Sequence, residues 1–221
     1  RRPPPRPRHY RAMALTERGD ATLRAVELAL APPGPGELLL RVSRCGVCRT
    51  DLHVADGDLP LVQWPRVPGH EVVGSVVAAG SGCRRFAPGS RVGVPWLHDS
   101  CGHCRWCTRE RENLCPDARF TGWTVDGGYA EYLRADERFC FALPERYDDE
   151  QAAPLLCAGL IGWRALAMAG DARTLGLYGF GAAGHLIAQV ALQQGRRVYA
   201  FTRPGDEPAQ ALARSLGVQW A

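Results

Sequence analysis

The first two thirds of the chain consist of short apolar runs separated by turn residues. The runs are rich in Val, Leu and Ala, are bounded by Gly and Pro, and show little helical period, which is typical of β-strands. They include TLRAVELAL, LLLRVSRCG, EVVGSVVAAG, SRVGVPW, GGYAEYLRA and FCFALP. A succession of short strands predicts a small β-barrel domain, which we assign to residues 13–147.

A helical pattern begins where the barrel is predicted to end. Asp148 is a predicted N-cap and Gly170 a predicted stop. Pro154, Gly159 and Gly162 interrupt the segment between them, so we expect two short helices rather than one.

The last part of the chain alternates strand and helix. TLGLYGFGAAGHLIAQVALQQGRRVYAFTR predicts strand, glycine turn, helix and strand, EPAQALARSLG predicts a second helix, and GVQWA is expected to begin a third strand. This βαβα order opens a doubly wound sheet, so the predicted fold class is α/β, with a Rossmann-type domain over residues 148–221. A complete domain of this class has more strands, and we therefore expect the chain to be a fragment that stops within it.

The opening segment, RRPPPRPRHYRA, carries five arginines and no acidic residue. We expect residues 1–12 to be a disordered extension, with Met13 as a possible start of translation. Without these arginines, 22 basic residues face 23 acidic ones, so the net charge of +4 arises in the extension. A near-neutral folded part argues against a nucleic-acid partner.

Composition excludes other classes as well. All 27 basic residues are arginine, which rules out a lysine base or Schiff base. No run approaches the roughly 18 apolar residues of a membrane helix. With no secretory signal in view, we expect a cytoplasmic protein without a membrane partner.

Four cysteines form a Cys-x2-Cys-x2-Cys-x7-Cys cluster in CGHCRWCTRERENLC. Four thiolates this close together can close a tetrahedral zinc site, so we predict structural zinc at Cys101, Cys104, Cys107 and Cys115. Paired disulfides are the alternative, which the expected intracellular setting disfavours. His103 lies inside the cluster, but the regular thiol spacing already supplies a full ligand set.

Gly179, Gly181 and Gly184 form G-x-G-x-x-G between a predicted strand and helix. In this setting the pattern indicates a dinucleotide site, because the glycines allow a tight turn, approach of a pyrophosphate and close helix–strand packing. Thr202 and Arg203 end the next strand where an acid would bind the ribose of NAD. A hydroxyl followed by arginine suits a 2′-phosphate and favours NADP over NAD, unless Arg203 is only a solvated turn residue.

Five segments, in order, make the chain resemble the zinc-dependent medium-chain alcohol dehydrogenases: CRTDLH, GHE, CGHCRWCTRERENLC, LLCAG and GFGAAG. The resemblance extends over residues 13–221, and PWLHDSC, with Trp96 in the substrate pocket, is most similar to the yeast-type branch. It implies a GroES-like catalytic domain before the Rossmann domain. It also implies hydride transfer between a small primary alcohol or aldehyde and NADP or NAD, and a homo-oligomer at full length.

The resemblance further implies a catalytic zinc held by Cys48, His70 and Cys157, which makes two zinc ions per chain. Two cysteines and one histidine are a known catalytic ligand set that leaves the fourth position open. Zinc there would lower the pKa of the alcohol before hydride passes to the nicotinamide.

The same resemblance gives roles to the neighbours of these ligands. Thr50 takes the alcohol proton and His53 passes it to solvent. Asp51 orients the histidine ligand, and Glu71 lies behind the metal and tunes it. Arg49 is placed against the cofactor pyrophosphate.

The chain departs from the family at Ile161, where a hydroxyl residue often lies near the nicotinamide, and this affects cofactor packing rather than the reaction class. Cys45 and Cys48 form a second Cys-x2-Cys, but they lie outside a thioredoxin-like unit. Cys83 and Cys140 belong to no motif.

Three other functions stay open at this point. A non-enzymatic zinc module would need the four-thiol cluster but not the other three ligands. A nucleic-acid-binding zinc ribbon is disfavoured by charge. A zinc-free quinone reductase of the same superfamily is disfavoured by seven intact metal positions.

Overall fold

The structure, a computed structural model, describes residues 7–60 and 63–221. It divides into two compact units, the first ending at Leu156 and the second running from Cys157 to Ala221. The division follows Leu156 rather than the predicted boundary after residue 147, because Ala152, Ala153 and Leu156 pack against Val73 of the first unit.

The first unit is built of short strands, as predicted, with a few single-turn helices. Its strands are β1 (His9–Leu15), β2 (Leu23–Ala29), β3 (Glu37–Gly46), β4 (Glu71–Ala79), β5 (Arg91–Val94), β6 (Leu97–Asp99), β7 (Arg119–Phe120), β8 (Tyr132–Asp136) and β9 (Phe141–Ala142). Its α-helices are α1 (Arg49–Asp56) and α2 (Asp149–Ala152). Its 3-10 helices are Cys107–Arg109, Glu112–Leu114, Glu137–Phe139 and Ala153–Leu156.

The main sheet has five antiparallel strands in the order β8-β3-β4-β5-β9. Alternate residues of its strands point to one side, as the period of a strand requires. Those residues form the buried core of Leu38, Leu40, Val72, Val76, Val92, Val94 and Leu133.

The first described strand, β1, begins at His9, within the segment 1–12 that was predicted to be a disordered extension. β1 pairs with β2 from His9↔Ala29 to Leu15↔Leu23, and its Ala14 is fully buried. The prediction of disorder was therefore wrong for residues 9–12, where the alternation of the strand outweighs the surrounding arginines and prolines. Residues 1–6 lie outside the described part of the chain.

The helical segment after β9 is interrupted, as predicted, but the break lies at Cys157 and not at the glycines, since Gly159 and Gly162 are both inside the helix Ala158–Met168. Asp148 caps α2, since its side chain accepts a hydrogen bond from the Gln151 backbone N–H at 2.8 Å. The segment continues as the 3-10 helix Ala153–Leu156, and Cys157 then precedes the next helix.

The second unit begins with α3 (Ala158–Met168) and continues as β10 (Thr174–Tyr178), α4 (Ala182–Gln193), β11 (Arg197–Phe201) and α5 (Glu207–Ser215). β10 and β11 are parallel, which confirms the βαβα pattern. The expected third strand is present as a single parallel bridge between Tyr199 and Trp220. The unit has its own core, in which Ile187, Ala188 and Val198 are buried.

The longest helix, α4, has 12 residues. Within residues 7–60 and 63–221, no single helix combines the length and apolar character needed to cross a membrane. The consecutive segments Asp149–Leu156 and Ala158–Met168 meet that test only when taken together, by length and composition alone.

Candidate metal centres and dinucleotide turn

The four cysteines of the spaced cluster lie together. The ligand atoms of Cys101, Cys104, Cys107 and Cys115 are all within 4.8 Å of one another. The Sγ atoms are 3.9 Å apart for Cys101 and Cys107, 3.6 Å for Cys104 and Cys107, and 3.6 Å for Cys115 and Cys101. Tetrahedral zinc with bonds of about 2.3 Å would separate two sulfurs by about 3.8 Å, whereas a disulfide requires about 2.05 Å. The donor geometry therefore fits a zinc ion, and all four cysteines are free.

Two single-turn 3-10 helices fold the loop around these sulfurs. The N–H of Thr108 donates to the Cys104 carbonyl at 3.0 Å. Glu110 adopts a left-handed φ of 57° where the first turn ends. His103 is exposed, its Nδ1 lies 2.9 Å from the Cys101 carbonyl, and it is not part of the four-residue group.

A second group joins residues that are far apart in sequence. The donor atoms of Cys48, His70, Glu71 and Cys157 lie within 4.8 Å of one another. Cys48 is the N-cap of α1, while His70 directly precedes β4 and is almost fully buried. Cys157 directly follows Leu156 and is the N-cap of the helix Ala158–Met168.

Glu71 stands among the donors rather than only behind them. A Cβ added to Gly46 would lie 2.0 Å from Oε2 of Glu71, so the glycine leaves the space that the carboxylate occupies. Glu71 is itself buried. A carboxylate oxygen of Glu71 therefore lies where it could contribute a donor atom to this group.

Asp51 makes four hydrogen bonds, two of which are to residues of this group, Cys48 and His70. Its Oδ1 lies 3.0 Å from His70 Nδ1 and accepts from the Gly69 N–H at 3.1 Å. Its Oδ2 accepts from the Cys48 N–H at 2.9 Å and from the Tyr129 hydroxyl at 3.0 Å. Burial raises the pKa of Asp51, but the contact with His70 and the other donors outweigh burial, so the net pKa lies below its ordinary value.

Tyr129 did not enter the predicted site. Burial, followed by the negative charge of Asp51, raises the pKa of the tyrosine above its ordinary value, so at neutral pH the hydroxyl keeps its proton and donates. The only signal in the sequence is its place in GGYAEYLRA, which predicts a strand and nothing more.

The two predicted proton-relay residues both lie on α1. Oγ1 of Thr50 lies 3.8 Å from Sγ of Cys48. His53 is partly exposed, with its Nδ1 2.7 Å from Oδ2 of Asp58, a partner that sequence inspection missed. Asp58 follows Gly57, whose φ of 83° ends α1 and turns the chain back toward the histidine. Arg49 is the exposed first residue of the same helix.

An aromatic cluster adjoins the histidine. The rings of His70 and Trp96 are in edge contact at 4.9 Å. Trp96 lies 5.3 Å from Phe120 and stacks on Trp123 at 5.8 Å. Only Trp96 was predicted, because the other two rings come from a segment without a motif. Apolar rings beside the metal group suit an apolar substrate.

The remaining cysteines are separate from both groups. Burial raises the pKa of Cys45 to about 12 and that of Cys140 to about 12, so both are neutral thiols. The thiol of Cys83 donates to the Glu37 carbonyl at 3.3 Å.

The glycine turn has the geometry that its spacing predicts. Gly179 has a left-handed φ of 91°. A Cβ on Gly184 would lie 2.6 Å from the Gly179 carbonyl oxygen, whereas one on Gly181 would meet no atom within 4 Å. Gly181 is the N-cap of α4, so the open side of the turn lies at the helix N-terminus, which favours a phosphate.

Thr202 and Arg203 directly follow β11. Oγ1 of Thr202 accepts a hydrogen bond from Nε2 of Gln210 at 3.1 Å, a contact absent from the predicted site. Arg203 is exposed. Asp206 is used as the N-cap of α5, where it accepts from the Ala209 N–H at 3.3 Å.

Comparison with known proteins identifies a family that this chain matches. Residues 34–145 match the family described as the alcohol dehydrogenase GroES-like domain. Similar proteins include a probable alcohol dehydrogenase AdhA of Mycobacterium tuberculosis, 48% identical over 202 residues, which are 88% of this chain and 58% of that protein. An alcohol dehydrogenase of Geobacillus stearothermophilus is 40% identical over 207 residues, 92% of this chain and 61% of that protein. The chain thus spans about three fifths of the length of these relatives.

Solved structures agree on the fold. A cinnamyl alcohol dehydrogenase of Sorghum bicolor has a TM-score of 0.85 and 33% identity, covering 96% of this chain and 63% of its own. A cobalt- and zinc-bound thermostable alcohol dehydrogenase of Pyrobaculum aerophilum has a TM-score of 0.85 and 31% identity, and the match covers 96% of this chain and 65% of that protein. The CAD of Helicobacter pylori, complexed with NADP(H), has a TM-score of 0.86 and 26% identity, and the match covers 96% of this chain and 63% of that protein.

Proposed function

The chain belongs to the zinc-type medium-chain alcohol dehydrogenase family, whose GroES-like domain it contains, and we propose that it forms the metal site and the first part of the dinucleotide site of an oxidoreductase. The enzyme would transfer a hydride between a primary alcohol or aldehyde and NAD(P). By the same family resemblance, the full-length protein would be a cytoplasmic homo-oligomer.

One observation carries the proposal. Cys48, His70 and Cys157 are distant in sequence, yet their donor atoms lie within 4.8 Å of one another. Glu71 offers a fourth donor atom within the same distance. Two sulfurs and one imidazole nitrogen are by themselves the donor set of a catalytic zinc that keeps a position for substrate, so we assign these three as the ligands and Glu71 as the group that tunes the metal. A module that used zinc only to stabilise its fold would need the four-thiol cluster alone. We therefore propose two zinc ions per chain.

The residues around the second group suit alcohol chemistry. When bound there, zinc supplies a Lewis acid that polarises the substrate oxygen. Thr50, beside Cys48, would accept the alcohol proton while it passes on its own hydroxyl proton, and the partly exposed His53 would release a proton to water. Asp51 fixes the orientation of His70, and the Trp96 cluster would contact the carbon chain of a short primary alcohol, as in the yeast-type branch.

The second unit would bind the dinucleotide. The open Cβ direction of Gly181 leaves room for a pyrophosphate at the start of α4, and Arg49 is proposed as a further pyrophosphate contact. The exposed Arg203, next to Thr202, supports NADP over NAD, because a guanidinium can pair with the 2′-phosphate.

The test is steady-state oxidation of ethanol and benzyl alcohol with each dinucleotide, on zinc-loaded full-length protein whose metal content is measured in the same sample. We expect turnover that requires dinucleotide and zinc, with loss of one zinc per chain and of turnover in Cys48→Ala. Cys45→Ala is the matched control, since Cys45 lies three residues away but outside the metal group. Full turnover in Cys48→Ala, or full-length wild-type protein that holds one zinc per chain and turns over no alcohol, would contradict the proposal.

A further inference from the structure

The segment 127–129 is joined to the segment just before His70. The N–H groups of Gly127, Gly128 and Tyr129 donate to carbonyls of residues 67–69 at 2.7, 2.8 and 3.0 Å. On its other side, the Tyr129 carbonyl accepts from the Met13 N–H at 2.7 Å. These bonds hold the tyrosine backbone in register with the chain that leads into the histidine.

The Tyr129 ring packs where the chain turns toward His70. Gly69 has a left-handed φ of 98°, and a Cβ there would lie 2.6 Å from Cδ1 of Tyr129. The glycine and the ring therefore fit each other closely, and the ring restricts how residues 68–70 can move.

The Tyr129 hydroxyl completes the hydrogen bonding of Asp51. A carboxylate offers about four lone-pair sites, and here Cys48, Gly69 and His70 occupy three of them, with Tyr129 on the fourth. Two of these partners are proposed zinc ligands and one adjoins a ligand. Asp51 can face both ligands only if its carboxylate plane is fixed. Of the four donors, the tyrosine is the one that is neither a proposed ligand nor next to a proposed ligand in the sequence.

We propose that Tyr129 is a positioning residue of the Cys48–His70–Cys157 metal centre. Its hydroxyl fixes Asp51, which engages Nδ1 of His70 and thereby leaves Nε2 of the imidazole for the metal. This inference rests on the proposed function, because it requires a metal ion at that centre.

The test compares Tyr129→Phe with Tyr132→Phe. The first change removes only the hydroxyl, and the second removes a hydroxyl from a ring that packs against Tyr10. Zinc per chain is measured after equilibration with increasing chelator, and the step that is missing in Cys48→Ala identifies the catalytic site. We expect zinc affinity at that site to fall about tenfold or more in Tyr129→Phe, as is usual for partners of metal ligands. The zinc affinity of the four-thiol cluster should be unchanged in Tyr129→Phe. In Tyr132→Phe both sites should keep the zinc affinity of the wild type.

Two further readouts separate positioning from a structural role. Cobalt(II) at the catalytic site should give a changed ligand-field spectrum in Tyr129→Phe, because His70 is held less firmly. In an Asp51→Asn background, Tyr129→Phe should cost less affinity than it does alone, since both changes act through the same carboxylate.

Three outcomes would overturn the inference. Unchanged catalytic-site affinity in Tyr129→Phe would show that the hydroxyl does not matter. Equal weakening of both sites, together with a lower melting temperature, would indicate general destabilisation instead. A wild-type chain with zinc at the four-thiol cluster only would refute the proposed function and the inference together, whereas two zinc ions bound equally well by Tyr129→Phe would refute the inference alone.

Discussion

Some residues of the site can be assigned a role from their sequence context, and others cannot. Cys45 and Cys48 form one Cys-x2-Cys pair, yet Cys48 lies among metal donors, while Cys45 is a buried thiol whose pKa burial raises to about 12. Spacing alone could not separate them, and the family resemblance did. Tyr129 escaped prediction because its hydrogen-bond partner Asp51 is 78 residues away in the sequence. Asp58 escaped because it reaches His53 only through the left-handed turn at Gly57.

Arg203 tests the cofactor preference at the residue scale. We predict that Arg203→Asp lowers the affinity for NADP relative to NAD by about tenfold or more, since a hydrogen bond to a charged group is worth about 1.5–3 kcal/mol. The change also places a carboxylate near the 2′-phosphate. Calorimetric titration of each dinucleotide into the protein measures the ratio.

The control is Arg164→Asp, which alters net charge equally at another exposed arginine. It should leave the ratio of the two affinities as in the wild type. If Arg203→Asp also leaves that ratio unchanged, the NADP assignment is wrong.

At the scale of elements, local rules predicted the strands and the glycine turn well. Dense Val and Leu runs between turn residues mark β3, β4 and β5, and the capping box of Asp148 and Gln151 marks the start of α2. β1 was not predicted, because its half-exposed alternation stands among arginines and its first residues were assigned to the disordered extension. The division between the units was placed too early, since packing of Leu156 on Val73 leaves no trace in local periodicity.

Two glycines of the turn should respond differently to alanine. Gly184→Ala places a Cβ against a backbone oxygen, so we expect a loss of roughly 1–3 kcal/mol in the free energy of unfolding of the second unit. In Gly181→Ala the new Cβ meets open space and the backbone φ is negative, so the free energy of unfolding should fall by less than about 1 kcal/mol, the cost of a poorer N-cap. The same Cβ should lower the affinity for the dinucleotide, because it fills space proposed for the pyrophosphate.

Denaturant unfolding and dinucleotide titration on both variants measure the difference. Equal loss of stability in the two variants, or undiminished dinucleotide binding by Gly181→Ala, would contradict the roles given to these glycines.

At the scale of the whole molecule, the order of the two units follows from sequence pattern, but the second metal group does not. The four-thiol cluster is visible because its ligands fall within one loop. Cys48, His70 and Cys157 come from an N-cap, a residue before a strand and the start of a helix, so their convergence is a property of tertiary structure. The same holds for Phe120 and Trp123, which join Trp96 only after folding.

The most direct test of the account is the anomalous difference density of crystals of the zinc-loaded protein, recorded on both sides of the zinc absorption edge. We predict two peaks per chain, one enclosed by the four sulfurs of the 101–115 loop and one shared by Cys48, His70 and Cys157. A single peak at the loop, with no anomalous density among Cys48, His70 and Cys157, would contradict it.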